Sequence, residues 1–110
     1  MEQNTFRLKL QEGFQNLKDR GYFVSEENLR GEGFWCCMGC GLSAIPYFTT
    51  HYAFYHQQDA DRLNRGERAV YLVWGGDGYT IRKVFLEVGL AVEWDGNSVT
   101  RIGVHSPALH

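Results

Sequence analysis

The chain has 110 residues, of which 44% are hydrophobic and 22% charged, and its formal net charge is −2 with a pI of about 6.0. This length and composition predict one globular domain, and the lack of a basic run argues against a nucleic-acid binder, because such proteins neutralise phosphates with clustered Lys and Arg. No apolar run approaches the ~18 residues that a membrane-spanning helix needs, so we expect no membrane partner.

The cellular compartment is predicted from the cysteines and from the start of the sequence. The three cysteines are an odd number, which is unusual for a disulfide framework. The first residues lack a basic segment followed by an apolar block, so they do not have the pattern of a secretory signal. We therefore expect a cytoplasmic protein whose cysteines are free thiols.

The first half of the chain begins with a helical pattern. Apolar residues at spacings of four, four and three predict one buried helix face, formed by Phe6, Leu10, Phe14 and Leu17. Gly21 is a suitable end for this helix, because glycine accepts the left-handed conformation. Ser25 is predicted to cap a short helical turn. Residues 42–48 also have a helical pattern, which Pro46 must begin or end.

The second half alternates predicted strands and helices. Residues 52–56 form a β-rich run, and Asp59 is predicted to cap a short helix after it. Residues 69–74 are continuously apolar, which is typical of a central strand. Thr80 is predicted to cap a further helix that ends at Gly89.

The last predicted strands, 90–94 and 98–104, are joined by Asp95-Gly96-Asn97, a strong hairpin signal. The mixed order of elements predicts an α+β single domain over 1–110, with a four- or five-stranded, largely antiparallel sheet and helices packed on one face. Residues 105–110 are predicted to form a flexible tail. As a further hypothesis, an edge strand at 99–104 could pair with a second copy of the chain.

The densest chemical motif is Cys36-Cys37-Met38-Gly39-Cys40-Gly41, which holds all three cysteines. The spacing of Cys37 and Cys40 is that of a zinc knuckle, but structural zinc needs four ligands. The remaining ligands would have to come from a few candidates: Cys36, His51, His56 and Asp59. At a helix start the same spacing lowers thiol pKa values and suits redox chemistry. The alternative is that these cysteines are buried thiols that pack as small hydrophobic side chains.

A second polar cluster, His56-Gln57-Gln58-Asp59, follows the predicted strand 52–56. A histidine oriented by a carboxylate can act as a general base, and the same two groups can bind a divalent metal. No serine or threonine stands nearby in a nucleophile-elbow context, so a hydrolase triad is not supported. The alternative is structural: Asp59 caps the next helix, and His56 satisfies backbone groups at the strand end.

Four sequence motifs carry a resemblance to a known family, which extends over about residues 14–104. In chain order they are Cys36-Cys37-Met38-Gly39-Cys40-Gly41, Tyr55-His56-Gln57-Gln58-Asp59, residues 71–75, and residues 89–97 together with Arg101-Ile102. The last of them includes Trp94-Asp95-Gly96. Together they resemble a bacterial family catalogued as a domain of unknown function. The resemblance implies a bacterial protein and implies no activity. The glycine-rich loop after Trp74 departs from the family, so no binding role is carried over to it.

Because no complete catalytic constellation is found, we predict a small binding or regulatory module without enzymatic activity, whose ligand is an unidentified protein or a small molecule. The residues predicted to bind are Tyr55, His56, Gln58, Asp59, Trp74 and Trp94. The alternative is a metal-binding or thiol-redox protein that uses Cys37, Cys40, His56 and Asp59. The first function needs no cofactor, whereas zinc is the metal expected for the second.

Overall fold

The computed structural model describes the backbone of residues 3–35, 38–46 and 48–107, and their side chains except those of residues 3, 4 and 38–40. The elements of this part of the chain are, in order, α1 Gln3–Asp19, α2 Glu26–Leu29, α3 Met38–Ala44, β1 Tyr52–Phe54, α4 Gln57–Asn64, β2 Ala69–Gly75, α5 Gly78–Glu87, β3 Ala91–Glu93 and β4 Ile102–His105. They form a single α+β domain, which confirms the predicted fold class.

The strands of the described part form one antiparallel sheet in the order β1-β2-β4-β3. Phe54 pairs with Val73 at the end of β1, and Val104 pairs with both Val70 of β2 and Val92 of β3. β2 therefore lies inside the sheet, as its continuous apolar sequence predicted.

The main core lies between one face of this sheet and the helices α1 and α5. The four apolar residues predicted on one face of α1 are fully buried there, together with Ile81, Val84 and Phe85 of α5. The two helices approach closely at Gly13, where a Cβ atom would overlap the Phe85 ring. This contact explains a glycine inside α1, where glycine costs ~1 kcal/mol relative to alanine.

The opposite face of the sheet carries a smaller cluster built on Phe54 and Val73, against which Phe34 packs. Side chains alternate between the faces of a strand, so Phe54 points away from the main core that Ala53 enters. α3 lies against this cluster, because a Cβ on Gly41 would sit 2.5 Å from the Phe54 ring. Helices thus contact the sheet on both of its faces.

Two helices begin one turn earlier than the sequence predicted. α4 is capped by His56 rather than Asp59, and the His56 Nδ1 atom accepts the Gln58 N–H at 3.2 Å. α5 is capped by Asp77, whose Oδ1 accepts the Tyr79 N–H at 3.0 Å. The predicted cap Thr80 instead donates its hydroxyl to Asp77 Oδ2. In both cases the preceding polar side chain reaches the free backbone N–H groups first.

The predicted hairpin of β3 and β4 is present, but its strands are shorter and its connection is longer than predicted. Residues 98–101 are not strand, because side chains replace the strand pairing in the loop. Asp95 Oδ1 accepts from the Asn97 N–H and the Thr100 hydroxyl, each at 2.9 Å, and Asn97 Oδ1 accepts the Val99 N–H. β4 lies between β2 and β3, so it is not the edge strand that the dimer hypothesis required.

At its other end, β4 runs one residue further than predicted. His105 pairs with Ala69 and Ala91, and the Ser106 N–H donates to the carbonyl of Arg68 at 3.1 Å. Residues 108–110, which complete the predicted tail, lie outside the described residues. None of the helices in the described part is both long and apolar enough to cross a bilayer.

Candidate functional site

The imidazole of His56 lies at the start of α4 and is buried. Burial lowers the pKa of His56 below the ordinary value, because the charged form loses hydration. The carboxylate of Asp59 raises this pKa, whereas the guanidinium groups of Arg101 and Arg62 lower it further. The Nδ1 atom accepts the Gln58 N–H, so the ring needs an unprotonated Nδ1 to cap the helix. His56 therefore has a structural task that favours its neutral form.

The carboxylate of Asp59 is fully buried and joins α4 to β2. Its Oδ1 is 2.8 Å from the Arg62 guanidinium, and its Oδ2 accepts the Tyr71 N–H at 3.2 Å. β1 ends where Phe54 pairs with Val73, so Tyr71 is the next residue whose N–H faces that edge of β2. Asp59 thus takes the place of a missing strand partner.

Tyr55 is fully buried in the main core, where its ring lies 5.6 Å from that of Phe14. Its hydroxyl has no hydrogen-bond partner among the described residues, and burial raises its pKa. Its backbone is paired by the Asn28 carboxamide, which accepts the Tyr55 N–H and donates to the Tyr55 carbonyl, each at 3.1 Å. The sequence carried no signal for the role of Asn28, since an asparagine beside two glutamates is typical of a surface turn.

Only part of the predicted metal site lies in the described part of the chain. Cys37 and the side chain of Cys40 lie outside the described residues. No group of three or more His, Cys, Asp or Glu side chains placed to share a metal occurs in the part that is described. His56 Nδ1 and both Asp59 oxygens already hold hydrogen bonds. The zinc hypothesis stays a prediction, which is tested by measuring the zinc content of the purified protein.

Two further predicted binding residues, Trp74 and Trp94, lie in contact with each other. Their ring centroids are 5.4 Å apart with an interplanar angle of 89°, and the Tyr79 ring lies 5.0 Å from that of Trp94. Edge-to-face contacts of this kind stabilise aromatic pairs. We call these three rings the aromatic corner, together with Val99, which lines a small hollow beside Trp74. Tyr79 and Val99 are 64% and 86% exposed, whereas the two indoles are half-buried and pack against the main core.

The loop between β3 and β4 holds the two indole rings in place. The Trp74 Nε1–H donates to the Thr100 carbonyl at 2.8 Å, and the Trp94 Nε1–H donates to the Asn97 carbonyl at 3.0 Å. Gly78 allows the rings to meet, because a Cβ there would lie 2.6 Å from the Trp94 ring and 2.8 Å from that of Trp74. The loop and Gly78 thus fix the positions of both indoles.

A shallow hollow of about 400 Å³ adjoins the aromatic corner and is lined by Glu93, Trp94, Asp95, Thr100 and Arg101. Hydrogen bonds from the Asn97 N–H and the Thr100 hydroxyl lower the pKa of Asp95, because they stabilise its charged form. Asp95 is therefore a carboxylate at neutral pH. The hollow thus combines an indole ring with charged groups of both signs, which suits binding.

Sequence reasoning selected both indoles but missed the residues that complete the corner. Both tryptophans stand at the end of a predicted strand and precede a turn rich in Gly and Asp, but nothing in the sequence indicates that the two rings meet. Tyr79 and Val99 gave no signal of their own. Gln58 is exposed, whereas Tyr55, His56 and Asp59 are buried, so the six predicted residues do not share one exposed surface.

A second hollow, of about 490 Å³, lies between α3 and β1 and is lined by Leu42, Ser43, Ile45, Pro46, Thr49 and Tyr52. The exposed ring of Phe48 belongs to the same segment. Residue 47 of this segment lies outside the described residues, so the hollow is described only in part.

Comparison with known proteins identifies one family. The model of a family described as Domain of unknown function (DUF6891) matches residues 2–108, nearly the whole chain. No curated protein and no solved structure matches the chain. The match agrees with the resemblance drawn from the sequence motifs.

Proposed function

Because the chain belongs to this family, whose description assigns no activity, we propose a function from the geometry of the chain itself: it is a binding module without enzymatic activity that engages a partner protein through the aromatic corner. The observation that carries this proposal is the contact of Trp74 with Trp94, whose indoles are held by two hydrogen bonds, next to the exposed ring of Tyr79.

Preorganised aromatic side chains favour this assignment on physical grounds. Tryptophan and tyrosine are enriched among the residues that dominate binding energy at protein interfaces. Association costs about 0.5–1.5 kcal/mol for each flexible side chain that must be immobilised, and rings that are already held avoid this cost. The neighbouring hollow is shallow, which suits a side chain of a protein partner better than a small molecule that needs to be enclosed.

We infer that the module acts in the cytoplasm and needs no cofactor for this function. Support for the compartment comes from the odd number of cysteines. Neither the indole rings of the aromatic corner nor the carboxylates of the hollow beside it require a metal to bind a protein segment.

The proposal is tested by proton–nitrogen NMR, which gives a separate indole N–H signal for each of the three tryptophans. The probes are capped Gly-X-Gly peptides in which X is Arg, Glu, Leu or Phe. We expect at least one of them to shift the Trp74 and Trp94 signals, while Trp35, which lies outside the corner, serves as the internal reference. If every peptide leaves both signals in place, or moves Trp35 alone, the proposal is overturned.

A matched pair of variants locates the surface. Tyr79→Ser removes an exposed ring from the aromatic corner, whereas Phe48→Ser removes an exposed ring beside the second hollow. We expect Tyr79→Ser to weaken the peptide-induced shifts and Phe48→Ser to leave them unchanged. The reverse result would place the binding surface at the second hollow and would contradict the proposal.

A further inference from the structure

The charges of the hollow beside the aromatic corner are not balanced. Its lining holds the carboxylates of Glu93 and Asp95 and the guanidinium of Arg101, which leaves one net negative charge. Neither carboxylate forms an ion pair with another described residue, because the salt bridges of the described part join other groups. A positive group from outside would bring the hollow to neutrality.

Both carboxylates also have free acceptor atoms. The two hydrogen bonds that Asp95 accepts fall on Oδ1, which leaves Oδ2 for another donor. The Glu93 side chain makes no hydrogen bond with any described residue and is exposed. An ionised carboxylate can accept up to about four hydrogen bonds, so the pair can accept several more N–H groups.

The aromatic component of the site favours the same class of ligand. Trp94, which stands between Glu93 and Asp95 in the sequence, also lines the hollow. The centroid of the Tyr79 ring lies 5.0 Å from that of the Trp94 ring. Indole and phenol rings attract cations to their faces, and tryptophan does so most strongly. The hollow therefore combines two carboxylates with the Trp94 indole, an environment that is complementary to a basic side chain.

Resting on the proposed function, we propose that the partner protein presents a basic side chain, an arginine guanidinium or a lysine ammonium, to the hollow formed by Glu93, Trp94 and Asp95. The carboxylates accept its N–H groups and the Trp94 ring packs against its charged plane or its aliphatic stem. The exposed Val99 and Tyr79 side chains contact the flanking residues of the bound segment. Basic residues within a polypeptide are therefore the ligand class of this surface.

The test uses the full chain and three capped peptides, Gly-Arg-Gly, Gly-Lys-Gly and Gly-Gln-Gly, of which the last has no charge. The measurement is the shift of the Trp94 indole N–H signal during titration. We expect the two basic peptides to bind more tightly than the glutamine peptide, and we expect added salt to weaken their binding, because salt screens exposed charges.

Glu93→Gln is the informative variant, since it removes one charge and leaves the shape of the side chain. We expect it to weaken binding of the basic peptides about two- to fivefold, the usual range for an exposed ion pair. Glu12→Gln, which removes an exposed carboxylate from α1, is the control and should leave binding unchanged. An unchanged amide spectrum shows that each variant is folded.

The outcomes separate the two proposals. If the glutamine peptide binds as tightly as the basic peptides, or if Glu93→Gln has no more effect than Glu12→Gln, the basic ligand class is overturned while the aromatic corner remains a binding surface. If tetramethylammonium shifts the Trp94 signal as effectively as the basic peptides, a free cation replaces the protein side chain as the ligand. If neither these peptides nor the earlier ones move any corner indole, the proposed function itself fails.

Discussion

His56 shows at the scale of one residue how burial and capping act together. Its ring is buried at the start of α4, and its Nδ1 accepts a backbone N–H, which requires an unprotonated nitrogen. Burial lowers its pKa, and the charged groups that face it are Asp59, Arg62 and Arg101. Protonation of His56 therefore conflicts with both its surroundings and its hydrogen bond.

This conflict predicts a pH-dependent stability. The pKa of His56 in the folded state lies below the ~6.5 of an unfolded chain, so the unfolded state binds more protons between the two values. The contribution of neutral His56 to the free energy of unfolding is therefore complete above about pH 6.5 and is lost as the pH falls through the folded-state pKa. We expect His56→Asn, which keeps a capping side chain, to show a flatter pH dependence.

Denaturant unfolding of both proteins at about pH 7.5 and about pH 5 measures this effect, since the two values bracket the ordinary histidine pKa. The other titrating groups are common to both proteins, so the difference between the two curves isolates His56. A gap in stability that is the same at both pH values would contradict the prediction.

At the scale of elements, Asp59 attaches α4 to the edge of β2 that β1 leaves unpaired. Asp59→Ala removes the acceptor of the Tyr71 N–H and the partner of Arg62 together. We expect a loss of about 1–3 kcal/mol in the free energy of unfolding, the usual cost of leaving a buried group without its hydrogen bond.

Asp59→Asn is the matched control, because it removes the charge of the ion pair and keeps a side-chain oxygen that can accept the Tyr71 N–H. The Arg62 side chain is partly exposed and stays hydrated without its partner, so we expect a loss below about 1 kcal/mol. Urea unfolding of both variants measures the difference. Equal losses would mean that the bond to Tyr71 contributes little, and the account of Asp59 as a strand partner would fail.

The contact of α1 with α5 gives a second prediction at this scale. Helix propensity alone predicts that Gly13→Ala stabilises α1 by about 0.8–1 kcal/mol. The structure predicts the opposite sign, because the added Cβ would overlap the buried Phe85 ring, and overpacking costs about 1–3 kcal/mol. Thermal unfolding decides between them. The control is Glu12→Ala, at the exposed neighbouring position, which should change the melting temperature little. If the Gly13→Ala protein is stabilised instead, the two helices can move apart to accept the added Cβ, and the prediction is wrong.

At the scale of the whole molecule, periodic patterns predicted most elements correctly. The buried face of α1 and the central position of β2 both follow from how apolar residues repeat. The errors lie at element boundaries. His56 and Asp77 cap their helices one turn before the predicted caps, Asp59 and Thr80, and sequence alone does not rank two polar side chains that stand one turn apart.

The candidate site was predictable only as a set of residues. Trp74 and Trp94 were both among the predicted binding residues, and the structure brings their rings into contact, but the residues around them are set by the sheet order. Trp74 meets the loop 94–101 because β4 lies directly between β2 and β3. Residues that are distant in the chain come together there through packing, which no local pattern records.

The sequence by itself determined the fold class, the single domain, the acidic balance and the family resemblance, because these follow from composition, short-range periodicity and motifs. Only the tertiary structure decided that His56 and Asp59 are buried in helix capping and strand pairing, and that Trp74 and Trp94 meet beside a hollow lined by two exposed carboxylates. The physical reason is that a polar side chain has the same local signature whether it bonds to the backbone of its own fold or to a partner. Whether such a side chain bonds to its own backbone or to a partner depends on the groups that packing against the sheet places beside it.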